Sequence, residues 1–186
     1  FDHWVSFRAQ GIYHDPILNV DGQTIRPGGY VTDLLTKYAL KWLGQERTDP
    51  FCLYLSHKAA HAPFEPATRH LGLYNDAAVP PPPTFRESRE GKPGWLQAMG
   101  KGLSGDVTRY ESTVRNYCRT LMAVDHSIGR VLSLLELQGK LDNTVVVFAG
   151  DNGFFLGEHG GLGDKRLMYE ESIRIPLLMR SPAMVH

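Results

Sequence analysis

Asp151 and Asn152 follow a five-residue apolar run, Val145 to Ala149, with Gly150 before them and Gly153 after. A carboxylate beside a carboxamide presents oxygen ligands, which suit a hard cation such as calcium or magnesium and serve a sulfur-seeking metal poorly. Two ligands do not hold a cation, so further oxygens must come from elsewhere in the fold, from water or from an anionic substrate. Asn-Gly and Asp-Gly are also ordinary turn formers with no function. An EF-hand is excluded: counted from Asp151, the third, fifth and twelfth loop positions are Gly153, Phe155 and Leu162. Downstream come Gly157, Gly160, Gly161 and Gly163, then Lys165-Arg166 and the run Tyr169 to Pro176.

A second cluster stands earlier in the chain. The apolar segment Phe51 to Ser56 runs into His57 and Lys58, and His61 opens His-Ala-Pro-Phe. A histidine beside a strand end is either a structural hydrogen-bonder or an acid–base group that titrates near neutral pH. Both strand ends carry polar residues on the side where open α/β sheets bind ligands.

Taken together, the Asn143–Arg174 stretch and the run from Tyr54 to Phe64 resemble the type I sulfatases of the alkaline phosphatase superfamily. The resemblance implies an α/β fold, part of an alkaline-phosphatase-like sandwich with a mostly parallel central sheet flanked by helices. It also implies one calcium ion with Asp151 and Asn152 in its shell, and Lys165 on a sulfate oxygen. Aligning His-Ala-Pro-Phe puts His61 on the family's active-site histidine, near the ester oxygen or the nucleophile. His57 is then a support or surface residue, and Lys58 a solvated lysine. His159 stands as a substrate contact or a loop histidine, and Arg166 as a sulfate contact or a salt-bridge partner of Glu170 or Glu171. The stretch Tyr13 to Arg26 resembles the subgroup acting on 6-sulfated amino sugars and mucin glycans.

The implied activity is sulfuric ester hydrolysis on a sulfated carbohydrate. Such a reaction needs a cation, fixed positive charge and a proton donor, because charge builds on the sulfuryl oxygens and the leaving alcohol. The family's nucleophile is a formylglycine made by a maturation enzyme from the first residue of Cys- or Ser-x-Pro-x-Arg. That motif does not occur in this sequence, and neither does an Asp-Asp dipeptide. Residues 1–186 are therefore expected to be the middle to C-terminal part of a single sulfatase catalytic domain, inactive alone. A phosphatase or phosphodiesterase of the same superfamily and a glycan-binding pseudoenzyme are the alternatives. The resemblance implies a periplasmic, secreted or lysosomal setting.

Composition sets the frame. At 42% hydrophobic and 22% charged, 186 residues can bury one sizeable core. Twenty acidic residues balance twenty basic ones, with no basic block to favour nucleic acid. No apolar run approaches the roughly 18 residues of a membrane span. The chain opens on Phe1 to Phe7, which reads as mid-strand, and stops at His186 without a natural ending, so a piece of a longer protein is expected. Cys52 and Cys118 read as buried thiols.

The elements that must position the candidates follow from periodicity. Asp21-Gly22 predicts a small hairpin within Asn19–Ile25. Leu34, Leu35, Tyr38, Trp42 and Leu43 predict a helix from about Val31 to Gly44, with Thr32 as its N-cap. Pro66 to Lys101 is irregular, with Pro80–Pro83 extended. Val114, Tyr117, Leu121, Val124, Ile128, Val131 and Leu135 predict a long helix over about Val107 to Gln138, ended by Gly139. Asp125 is expected to be buried and paired, and Arg115, Arg119 and Arg130 to form a solvated face. Strand, long helix and strand predict a parallel crossover from Phe51–Ser56 to Val145–Ala149, and Pro176 to Met179 begins another strand.

Overall fold

The computed structural model describes residues 1–99 and 102–181. Gly100, Lys101 and the chain end at His186 lie outside the described residues. The chain divides into two compact units, 1–75 with 116–142, and 76–115 with 143–186.

In the first unit, β1 (Val5–Ser6), β2 (Leu18–Val20) and β3 (Gln23–Ile25) form an antiparallel sheet in that order. The expected hairpin is present: Leu18 pairs with Ile25 and Val20 with Gln23, and Asp21 takes the left-handed conformation the tight turn requires. The backbone N–H of Trp4, and after it the His3 ring, hold the Asp21 carboxyl below its usual range.

Helix α1 (Val31–Leu43) stops at Gly44 as its sequence predicts. Its N-cap is Tyr30, without a side-chain cap, rather than Thr32. Thr32 lies in the first turn, fully buried, because Val31, Thr32, Leu35, Thr36, Ala39 and Leu43 form the inward stripe. That stripe joins Tyr13, Tyr30, Ala67 and Ala123 in one apolar cluster, with Leu55 and Ala59 packed against it.

Helix α3 (Val107–Leu137) matches its predicted span. Asp106 accepts the Arg109 N–H at 3.0 Å and caps its start. Gly139, at φ 64°, lets the Lys140 N–H return to the Leu135 carbonyl at 2.8 Å and closes the end. Within the first unit the Thr36 and Ser127 hydroxyls share a buried hydrogen bond of 2.6 Å that ties α1 to α3.

Several expectations change here. Asp125 is exposed rather than buried. Arg115 and Arg119 do not form a solvated face: Arg115 donates to the Ala77 carbonyl at 3.1 Å. Arg119 donates to the Leu73 carbonyl at 2.8 Å and to Asn75 at 2.6 Å. Guanidinium groups on a helix flank satisfy carbonyls of irregular backbone that no ladder reaches. Cys52 is exposed and Cys118 half-buried, both as free thiols. Lys58 is buried, with its ammonium 4.7 Å over the Tyr13 ring, rather than solvated.

The second unit holds β4 (Val146–Ala149) paired with β7 (Leu177–Arg180), and β5 (Phe155–Leu156) paired with β6 (Gly163–Asp164). Between and around them lie α2 (Gly94–Gln97), the single turn α4 (Glu158–Gly161) and α5 (Glu170–Ile173). Phe85, Leu103 and Tyr110 make one core cluster, and Leu96, Phe155 and Leu162 another.

The mixed helix-and-sheet class is as expected, but all ladders among the described residues are antiparallel. Residues 51–56 alternate half-buried and exposed, as a strand would, yet join no ladder there. β4 is taken up along one edge by β7, which returns after α5 in the opposite sense. Side-chain periodicity reports which face is buried and carries no information about the direction of the neighbour, so the parallel pairing was not determined by the pattern that predicted it.

Candidate active site

β4 delivers the chain to Gly150, whose N–H donates to the Pro176 carbonyl at 3.2 Å. The turn that follows is fixed by its own side chains. Asp151 Oδ1 accepts the Asn152 N–H at 2.9 Å, and Asn152 Nδ2 donates to the Gly153 carbonyl at 2.7 Å. That second bond orients the amide and reserves its Oδ1, the atom able to ligate a cation. Asp151 is exposed and Asn152 half-buried.

Gly153 is required by a close approach. Its N–H donates to the Ser172 carbonyl at 2.8 Å, and a Cβ there would stand 2.0 Å from the Glu171 carbonyl oxygen. The chain then forms the β5–β6 hairpin, whose tip holds Gly157, His159 and Gly160 at positive φ. β6 leads into Lys165. Its N–H donates to Asp164 Oδ1 at 2.8 Å and its carbonyl accepts from the Ser172 hydroxyl at 2.5 Å. Among the described residues the half-buried Lys165 ammonium enters no ion pair, which leaves it able to meet an anion. Arg166 is exposed and pairs with Asp164 at 3.2 Å, not with Glu170 or Glu171; Glu170 pairs instead with Arg174 at 3.5 Å.

His159 has both ring nitrogens engaged. Nδ1 lies 3.2 Å from Glu87 Oε2 and Nε2 3.1 Å from Glu171 Oε2, and the ring stacks on Tyr169 at 4.2 Å between centroids. Ionised carboxylates only accept, so the ring nitrogens are the possible donors in these contacts. Lys92, and after it His159, hold the Glu87 carboxyl below its usual range. Arg89 donates to the His159 and Gly160 carbonyls at 3.3 and 2.8 Å.

In the first unit, the Tyr13 hydroxyl donates to the His61 carbonyl at 2.7 Å, and His61 Nδ1 lies 2.7 Å from the Ala62 carbonyl. A carbonyl only accepts, so Nδ1 is the donor in this contact and, in the neutral ring, Nε2 offers the lone pair. Burial pushes the Tyr13 phenol up, which keeps it a donor. His57 is half-buried without a hydrogen-bond partner on either ring nitrogen among the described residues, and burial pushes its pKa down to about 4.

Thus Asp151, Asn152, His159, Lys165 and Arg166 belong to the second unit, and His61 to the first. Sequence reasoning missed Glu87, Ser172 and Tyr13, and offered Glu171 only as a partner of Arg166. Glu171 and Ser172 stand in the same Tyr169–Pro176 run that drew notice as a pattern, but no spacing rule assigns partners to them.

The Sulfatase family model matches residues 1–186. The chain belongs to the sulfatase family. An N-acetylglucosamine-6-O-sulfatase of Bacteroides thetaiotaomicron is 32% identical, over 98% of this chain and 44% of that protein. A solved structure in complex with its substrate D-glucosamine-2-N,6-O-disulfate is 32% identical with a TM-score of 0.84, over 98% of this chain and 50% of that one. An extracellular sulfatase of Drosophila melanogaster is 25% identical, over 96% of this chain and 17% of that protein. The chain thus spans half or less of the length of these relatives. Its neighbours are sulfatases of the alkaline-phosphatase-like fold. Among the described residues no helix is long and apolar enough to cross a membrane.

Sulfatases generally use a divalent metal ion. The Asp151–Asn152 turn fits part of such a shell, being made of oxygen donors alone. Among the described residues no group of three or more His, Cys, Asp or Glu side chains could hold a metal ion.

Proposed function

We propose that residues 1–186 form the middle to C-terminal part of a single catalytic domain that hydrolyses sulfate esters on sulfated glycans, assisted by one calcium ion. The observation that carries this reading is an oxygen-only turn at the carboxyl end of β4 in the same unit as a lysine without an ion-pair partner among the described residues. The family match over the whole chain supports it.

Calcium, when bound, would supply the Lewis acidity that polarises the sulfate. Asp151 and Asn152 contribute their side-chain oxygens to its shell. Lys165 binds a sulfate oxygen as a compact point charge, and the exposed Arg166 that follows it in the chain is a further sulfate contact in this reading. His61, with its proton fixed on Nδ1 by the Ala62 carbonyl, uses Nε2 to move a proton at the ester oxygen or the nucleophile. His159, a substrate contact or a loop histidine by sequence, has its ring nitrogens at Glu87 and Glu171.

The nucleophile has no motif in these 186 residues. In this reading it is a formylglycine that a maturation enzyme makes elsewhere in the full-length protein, and the 186-residue chain alone has no turnover. The substrate class is a 6-sulfated amino sugar, and the setting is periplasmic, secreted or lysosomal, where sulfated glycans occur.

The test is to express the full-length protein with calcium and measure sulfate released from 6-sulfated N-acetylglucosamine and from an aryl sulfate. Release that is lost in Asp151→Ala, His61→Ala and Lys165→Ala supports the roles given. No release, together with no modifiable Cys or Ser in the full-length sequence, favours a glycan-binding domain on a sulfatase fold.

A further inference from the structure

We infer that Ser172 is a positioning residue that holds the Asp151–Asn152 turn and Lys165 in register, and that the His159–Glu171 pair anchors the short helix that carries it. The catalytic part of this inference rests on the sulfatase reading above.

Ser172 is 5% exposed and reaches both arms of the candidate site by different groups. Its carbonyl accepts the Gly153 N–H at 2.8 Å, one residue beyond Asn152. Its hydroxyl, which has a single proton, donates that proton to the Lys165 carbonyl at 2.5 Å. One residue therefore bonds the backbone of both arms. The contact at Gly153 is rigid as well as bonded, because the backbone of α5 fills the space where a Cβ would stand. A shift of α5 must move the turn.

α5 has four residues and cannot hold itself in place, since a single helical turn fixes many dihedrals for little bonding. Its anchor is lateral. Glu171 Oε2 meets His159 Nε2 at 3.1 Å, and His159 Nδ1 meets Glu87 Oε2 at 3.2 Å. Lys92 bridges Glu87 at 3.3 Å, and Thr84 and Arg89 hold the main chain of residues 159 and 160. Tyr169, which precedes α5, closes the arrangement by stacking on the His159 ring. The path runs from the 84–92 segment through His159 to α5, and from Ser172 to the two arms, all within the second unit.

The two groups of Ser172 separate this role from plain packing. Ser172→Ala deletes the bond to Lys165 and leaves the main-chain bond to Gly153. Amide hydrogen exchange and calcium titration on the full-length protein, with kcat and KM on 6-sulfated N-acetylglucosamine, read the consequences. Exchange over 163–167 is expected to rise about tenfold while exchange over 151–155 and calcium affinity stay within about twofold, the scale of one neutral hydrogen bond. kcat/KM is expected to fall about tenfold for the same reason. Glu171→Ala, which frees the helix, is expected to loosen both arms and weaken calcium binding.

The inference is overturned if Ser172→Ala keeps native exchange and, in an active enzyme, native kcat/KM. It is also overturned if Ser172→Ala loosens both arms equally with a matching fall in melting midpoint, or if Glu171→Ala leaves 151–155 unchanged. Exchange needs no turnover. A full-length protein that releases no sulfate therefore refutes the sulfatase reading, while exchange still decides whether Ser172 couples the arms.

Discussion

The two turns that carry the candidate residues are built in opposite ways. In the second unit the polar groups from Gly150 to Ser172 mostly find partners in the fold itself: Asn152 on Gly153, Ser172 on Lys165 and Gly153, His159 on two carboxylates. In the first unit, His57 has neither ring nitrogen bonded among the described residues. An unsatisfied buried polar group costs on the order of 1–3 kcal/mol. The first turn thus carries an unsatisfied ring, while the turn at Asp151–Asn152 is held by its own side-chain bonds and by α5, and the two should respond differently to substitution and to pH.

The largest expected effect lies in the second unit. In the full-length protein, Asp151→Ala should lower kcat/KM for 6-sulfated N-acetylglucosamine by about 1,000-fold, and Lys165→Ala by about 100-fold, the range for removing a preorganised electrostatic group. Both side chains are at least partly exposed, so the circular dichroism should stay native, with Asp151→Ala costing no more than the ~1 kcal/mol of its one bond to the Asn152 N–H. Activity lost only together with the fold would mean these residues are structural.

Next comes Gly153→Ala. A methyl group 2.0 Å from the Glu171 carbonyl forces α5 or the turn to move. Destabilisation of about 3 kcal/mol, read from the urea midpoint, is the upper range for overpacking. A change below about 0.5 kcal/mol would show that the turn yields readily, and the contrast between the two regions would weaken.

The first unit should reveal itself through pH. Burial lowers the His57 pKa from the ordinary 6.5 to about 4. The folded value is below the unfolded one, so as pH falls through this window the unfolded chain binds the proton first and stability drops, levelling off below about pH 4. Because the ring is half-buried, the loss between pH 7 and pH 5 is set at about 1–2 kcal/mol rather than the full shift. Urea midpoints at the two pH values measure it, and His57→Gln should flatten the difference. The same loss in the variant would place the effect elsewhere, for instance on His70, which burial also shifts downward.

How far the molecule was legible from its sequence follows the same division. Patterns set by one element alone were readable: the 18–25 hairpin on Asp21-Gly22, α1 stopped by Gly44, and α3 with its Gly139 end. The turn at Asp151 was readable because its bonds are local, between neighbours in the chain. What depended on partners distant in sequence was not. Glu87 reaches His159 across 72 residues, and Arg119 reaches Leu73 across 46. Lys58 looks solvated by residue type, but the Tyr13 ring 45 positions earlier covers it. Ladder direction at β4 belongs to the same class, since alternation is identical for parallel and antiparallel neighbours.

The smallest expected effect tests whether the first unit also controls its candidate base through the backbone. Tyr13 is fully buried, and its hydroxyl donates to the His61 carbonyl at 2.7 Å. Tyr13→Phe keeps the ring, and with it the surface under Lys58, but leaves that carbonyl without its donor. A stability loss of about 1 kcal/mol is expected, the ordinary worth of one such bond. The His61 ring is untouched, with its Nδ1 proton still on Ala62, so the pH profile of kcat/KM should keep its shape while its height falls less than about tenfold. A profile that shifts along the pH axis would put the Tyr13 hydroxyl in the proton's path. A loss of height with no loss of stability would mean that His61 is aimed by Tyr13 as the second unit's lysine is aimed by Ser172, and the contrast between the two turns would then lie in their unsatisfied rings alone.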